Sequence, residues 1–223
     1  MKFVTPVGRV LVICHLTVVL MLSASLPARA TTLALDFVGT LQNGFSAELT
    51  FGWSFTVNQP IAVNGLGFFD DFSIGGPGLK QDHLVSMWTS GGALLAQTTI
   101  TNASTSVAST AADGKWLFND ITAILLAPGD YVIGAHNAAS SACATCDYFR
   151  YLDTATTSSA ITFIEARDIS GNAFPSRSIP DRNDGYFGPN FAFEAVPVPE
   201  PATLVLFGFG LAGLGFARRR QIS

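Results

Sequence analysis

From Phe51 to Val57 the chain reads Phe-Gly-Trp-Ser-Phe-Thr-Val, bulky apolar residues alternating with small or polar ones at a period of two. Successive side chains of an extended strand point to opposite faces, so this run turns one face into a core and the other toward water. Leu33-Leu35-Phe37 and Phe191-Phe193-Ala195 repeat the pattern over shorter spans. Further strands are predicted at residues 61–69, 83–89, 92–100, 115–119, 130–136 and 161–167. Turn signals separate them, among them Gly75-Gly76-Pro77-Gly78, Ala112-Asp113-Gly114 and Pro128-Gly129-Asp130. No stretch between residues 31 and 195 offers three turns of amphipathic helix with caps. Short strands without crossover helices predict an all-β fold, an antiparallel β-sandwich of jelly-roll type, with a closed barrel as the competing architecture. Residues 31–195 suffice for one core and are too few for two domains.

The two ends read differently. Lys2 and Arg9 precede the apolar run Val10 to Leu22, and the segment closes on Ala28-Arg29-Ala30. A basic start, a short apolar run and a small-x-small exit are the parts of a secretory signal peptide, residues 1–30, with Ala28 and Ala30 fitting the signal peptidase. The run is also short of the roughly 20 apolar residues needed to span a membrane. At the other end, residues 196–201 (Val-Pro-Val-Pro-Glu-Pro) form a Pro-punctuated stalk that can neither continue a strand nor begin a helix before Pro201. Residues 202–217 carry no charge and are predicted to be a short membrane helix; Arg218, Arg219 and Arg220 follow in the basic segment 218–223. Arginine clusters stay cytoplasmic, so the domain is expected outside the cytoplasm, anchored at first in the cytoplasmic membrane.

Pro199-Glu200-Pro201, a Gly-rich apolar span and a closing arginine cluster together resemble the PEP-CTERM sorting signal of Gram-negative bacteria. The resemblance implies recognition by the membrane enzyme exosortase, processing near Pro199, Glu200 and Pro201, and association with exopolysaccharide and biofilm at the cell surface or in the extracellular matrix. Gly52-Trp53-Ser54-Phe55, Leu66-Gly67-Phe68-Phe69-Asp70, His83-Leu84-Val85-Ser86-Met87-Trp88 and Phe187-Gly188-Pro189-Asn190-Phe191 are similar to an uncharacterised β-sandwich domain found ahead of such anchors. That second resemblance supports the fold and implies no activity.

Cys143 and Cys146 are the cysteines outside the leader. In an oxidising compartment they most simply close a small disulfide loop. A redox pair needs a helix N-terminus at the first cysteine, and a zinc site needs two further ligands. Residues 31–200 hold 6 basic and 16 acidic residues, a formal charge of −10. Such a surface repels polyanions and lacks the Lys/Arg face that nucleic acid requires.

Two histidines, His83 and His136, fall at strand ends outside any metal or nucleophile motif, which favours structural roles over catalysis. The acidic loops are the better candidates. Asp70 and Asp71 lead into a Gly-rich loop with Asp82 at its far end, and Asp181, Asn183 and Asp184 crowd a second turn. Crowded oxygen ligands suit Ca²⁺, whereas Asp and Asn also bend turns without any ion. Trp88, Trp116, Tyr148, Tyr151 and Tyr186 are candidate sugar platforms, set against the demand of a sandwich core for aromatic filling. The leading expectation is a non-catalytic surface or matrix protein with no required cofactor. A calcium-dependent glycan-binding module is the alternative, and a polysaccharide hydrolase, which needs two carboxyl groups about 5 to 10 Å apart, comes third.

Overall fold

The computed structural model describes residues 32–38, 48–72, 76–138, 147, 154–180 and 185–196. The signal peptide, the sorting tail with residues 197–223, Cys143 and Cys146, Tyr148 and Tyr151, and the turn at 181–184 lie outside the described residues. Among the described residues the strands are β1 (Thr32–Leu33), β2 (Leu35–Val38), β3 (Leu49–Val57), β4 (Ile61–Asp71), β5 (His83–Thr89), β6 (Leu94–Ile100), β7 (Thr105–Ala108), β8 (Gly114–Leu126), β9 (Gly129–Asn137), β10 (Thr154–Thr157), β11 (Ile161–Ser170), β12 (Arg177–Ile179) and β13 (Pro189–Ala195). They build a five-stranded sheet in the order β1-β13-β4-β8-β7, a six-stranded sheet in the order β12-β11-β3-β9-β5-β6, and a two-stranded ribbon of β10 and β2. Neighbours pair antiparallel throughout. The expected all-β antiparallel sandwich is what forms.

The alternation in β3 accounts for how the two large sheets meet. Phe51, Trp53, Phe55 and Val57 are all buried on one face of the six-stranded sheet. Opposite them stand Leu66, Phe68, Phe191 and Phe193 of the five-stranded sheet. Trp53 stacks on Phe191 at 6.0 Å between ring centroids, and Phe51 meets Phe68 edge-on at the same separation. The Trp53 indole N–H donates to the Pro189 carbonyl at 2.9 Å, so the polar atom of the largest core residue is satisfied inside.

The second face of β3 is buried as well, for a reason the alternation does not carry. The segment after β11 runs back over the sheet. Thr50 Oγ1 donates to the Gly171 carbonyl at 2.8 Å and accepts from the Ala173 amide at 3.2 Å. Farther along, Phe174 meets Trp88 edge-on at 5.8 Å. Gly52 and Gly134 pair directly beneath this cover, and a Cβ on Gly52 would come within 2.0 Å of the Ile133 carbonyl oxygen. Position 52 therefore requires glycine, whereas a Cβ on Gly134 would meet Pro175 and Thr50 at 3.2 Å.

β13 runs the length of the five-stranded sheet. Pro189 pairs with Phe68 at one end and Ala195 with Ile61 at the other, where the Val196 amide donates to the Pro60 carbonyl at 3.1 Å. Whatever follows Val196 leaves from the Pro60 end. At the opposite end β4 stops, β5 and β8 begin and β9 stops.

Candidate functional site

The polar groups buried at that opposite end form one network. His83, the first residue of β5, is fully buried and stacks on Phe68 with centroids 3.8 Å apart and planes 14° apart. Its Nδ1 faces the His136 carbonyl at 3.2 Å; a carbonyl only accepts, so Nδ1 carries a hydrogen. Its Nε2 faces Asp147 Oδ2 at 3.0 Å. The same carboxylate accepts the Lys80 amide at 2.8 and 3.0 Å and the Gln81 amide at 3.1 Å. Asp147 thus fastens the 76–82 loop and β5 together from a distant point in the chain. Asn102 fixes the loop's middle, accepting the Leu79 amide at 2.7 Å and donating to the Leu79 carbonyl at 2.8 Å. Gln81 donates to the side-chain carbonyl of Asn137.

Asp70 occupies the neighbouring position. Its two oxygens accept the Gly78 amide at 3.0 and 3.1 Å, and Lys115 Nζ stands 3.9 Å away. Burial pushes the Asp70 carboxyl above the ordinary carboxylate range; the Gly78 amide and the Lys115 and Lys80 charges pull it back, and the Asp147 charge raises it further. A carboxyl whose pKa is raised on folding contributes stability that is full below its unfolded pKa and is lost as pH rises through the folded value. Asp70→Asn keeps an acceptor for the Gly78 amide and abolishes the charge. Its melting temperature is expected to fall less than that of the parent protein between pH 4 and pH 7. Parallel melting curves across that range would contradict a costly buried charge at Asp70.

Asp70, Asp71 and Asp82, the candidate calcium ligands, are not brought together. Asp70 and Asp71 are consecutive in β4 and so point to opposite faces of the sheet. Asp71 is buried opposite Gly114, while Asp82 is exposed just before β5. Among the described residues no group of three or more His, Cys, Asp or Glu side chains is placed to hold a metal ion. Of the candidate sugar platforms, Trp88, Trp116 and Tyr186 are buried. Trp88 lies under Phe174, and Trp116 donates its indole N–H to Asp36 Oδ1 at 3.1 Å beneath β2. These three are core residues, and the sugar platform reading is corrected for them. His136, near the end of β9, stands 3.5 Å from Glu48.

A different feature lies on the outer face of the five-stranded sheet. A groove of about 230 Å³ is lined by Leu33, Asn64, Gly65, Thr105, Val107, Phe118, Asp120 and Ala192. Leu33 pairs with Ala192, Ala192 with Gly65 and Gly65 with Asp120, and two residues earlier on β8 Phe118 pairs with Thr105, so the lining reaches all five strands in two offset rows. Paired residues share a face, and the two in the middle are small. The register of β4 slips on both sides here, between Val63 and Gly65 against β8 and between Ala192 and Phe193 against β13. Bulges of this kind re-aim side chains, and the residue left over is Asn64.

A family profile described as a domain of unknown function (DUF4082) matches residues 39–187, more than half of the chain. The chain belongs to this family. The whole Asp147 network falls inside the DUF4082 match, whereas Leu33 and Ala192, at one side of the groove, fall outside it. A second profile, the PEP-CTERM protein-sorting motif, matches residues 197–221, starting at the residue after Val196. The protein carrying this DUF4082 domain is therefore an exported, exosortase-sorted protein. No curated protein and no solved structure matches the chain.

Asp147, Lys115, Asn64 and Asp120 were not among the residues singled out from the sequence. Asp147 carries no local signal, since its partners lie 64 to 67 residues earlier. Asn64 had one: a polar residue interrupting an apolar strand just before Gly65 marks a bulge.

Proposed function

We propose that this is a non-catalytic protein of the cell surface or extracellular matrix, whose DUF4082 sandwich is the cargo delivered by the sorting tail. The observation that carries the reading is the sorting motif at residues 197–221, directly behind the last strand of the domain. The sandwich then works among extracellular polymers, exopolysaccharide included, after a stage in which residues 202–217 hold it in the cytoplasmic membrane. The polar chemistry of the domain supports a non-catalytic role. His83 and Asp147, the pair closest to an acid–base couple, are spent on each other and on backbone groups. Asp70, whose carboxyl feels the Asp147 charge, is buried on the Gly78 amide. A hydrolase needs its carboxyl pair open to a polymer in a cleft.

The tail supplies the test. Replacing Arg218, Arg219 and Arg220 together with Ser removes the charge that orients the membrane segment. Fractionation of the producing cells is expected to show less protein reaching the surface fraction and more lost from the membrane. An unchanged distribution between fractions would rule the sorting reading out.

A further inference from the structure

We infer that the groove across the outer face of the five-stranded sheet is a binding site for one ring of a neutral glycan chain. The inference rests on the reading of the domain as a non-catalytic surface module and names the ligand class and the residues involved. Its floor is apolar, made by Gly65 and Ala192 between Leu33, Val107 and Phe118. A Cβ placed on Gly65 would meet Ala192 Cβ at 3.4 Å and the Phe118 ring at 3.6 Å, so the missing side chain is what leaves the space open. Around this floor stand three hydrogen-bonding side chains, Asn64, Thr105 and Asp120. Asn64 is steadied by donating to Glu194 at 3.3 Å.

That combination excludes other ligands in turn. Among the described residues no Lys, Arg or His lines the groove, and Asp120 in the lining and Glu194 behind Asn64 place negative charge beside it, so an anionic ligand is repelled. The backbone of the floor strands β13, β4 and β8 is already paired on both sides, so an extended peptide cannot dock there by adding a strand. A lipid chain finds only about 230 Å³ and a carboxylate in its way. A pyranose ring fits, because it has a C–H face for the apolar floor and equatorial hydroxyls for the amide, hydroxyl and carboxylate around it. At about 230 Å³ the groove is smaller than the roughly 300 Å³ of a drug-sized pocket. It therefore holds one ring of a chain whose neighbouring rings continue past its ends. Neither calcium nor the Asp147 network takes part.

The test is calorimetry with the full-length protein in a neutral detergent micelle. The probes are hexasaccharides of β-1,4-glucan, β-1,4-mannan and β-1,4-xylan, with an oligogalacturonate as the anionic control. At least one neutral hexasaccharide is expected to bind, equally well in calcium and in chelator, and the oligogalacturonate to give no signal. Gly65→Leu, which fills the groove, should weaken binding by about tenfold or more. Asp120→Ala, at an exposed position that leaves folding intact, should weaken it by about threefold. The inference is overturned if none of the three neutral glycans binds, if the oligogalacturonate binds more tightly, or if Asp120→Ala binds as well as the parent. It is equally overturned if sedimentation shows a dimer that Gly65→Leu dissolves, because a second copy would then be the occupant. All of these readouts are independent of cell fractionation, so a failed groove and a failed sorting tail are told apart.

Discussion

Asp147→Ala is expected to cost about 3 to 5 kcal/mol of folding stability, measured as the shift in urea midpoint multiplied by the parent m-value. The Lys80 and Gln81 amides and His83 Nε2 all point at this one carboxylate, within 2.8 to 3.1 Å. Removing the acceptor strands two backbone amides at a buried site and takes away the partner of His83 Nε2, and each unsatisfied donor costs about 1 to 3 kcal/mol. Asp147→Asn retains one side-chain oxygen and should recover part of the loss. A cost below about 1 kcal/mol for the alanine variant would mean that water replaces the carboxylate without penalty, and that the network does not hold the loop.

Trp53→Ala is expected to cost about 3 to 5 kcal/mol, the range for truncating a large aromatic inside a packed core. Against a total stability of roughly 5 to 15 kcal/mol this removes about a fifth of the margin or more. Three ring neighbours lose their partner, Phe55 at 5.0 Å, Phe191 at 6.0 Å and Phe163 at 6.3 Å. The Pro189 carbonyl also loses its donor. Trp53→Phe separates these contributions: it keeps most of the packing and gives up the hydrogen bond, for about 1 to 2 kcal/mol. Both values come from the same urea titration. Equal costs for the two variants would mean that the indole N–H matters more than the ring.

These two residues were unequally legible. Trp53 announces itself, because the alternation from Phe51 to Val57 fixes its face with no knowledge of the partner sheet. β5 begins and ends at its predicted residues for the same reason, and β4 and β9 extend theirs by a residue or two. β7, β10 and β12 were missed; they are three or four residues long, and their pattern shows no apolar face of its own. β8 runs on to Leu126, well past the predicted stretch, because three residues of β8 stand against Asn64 at the bulge and break the period. Alternation also says which face a residue takes without saying whether that face is covered. Trp88 and Trp116 therefore read as strand-end aromatics, and their covers, Phe174 and Asp36, come from about 80 residues away. Asp70 and Asp71 fall past the predicted strand end at residue 69; β4 runs on to Asp71, and neighbours in a strand cannot converge on one ion. The groove was out of reach, because it exists only through the register of five strands and two slips beside Gly65.

The path of β13 has a mechanical consequence. It is held on both sides, by β1 and by β4, so a pull applied at Val196 parallel to the strand would run along its own axis. Tension in that direction loads the ladder from Pro189 to Ala195 in shear, so its bonds must yield together instead of opening one at a time. A pull perpendicular to the strand would unzip the same bonds in sequence at much lower force. Held between two neighbours, β13 therefore resists an axial load at Val196 in a way that a terminal strand paired on one side and peeled from its end does not.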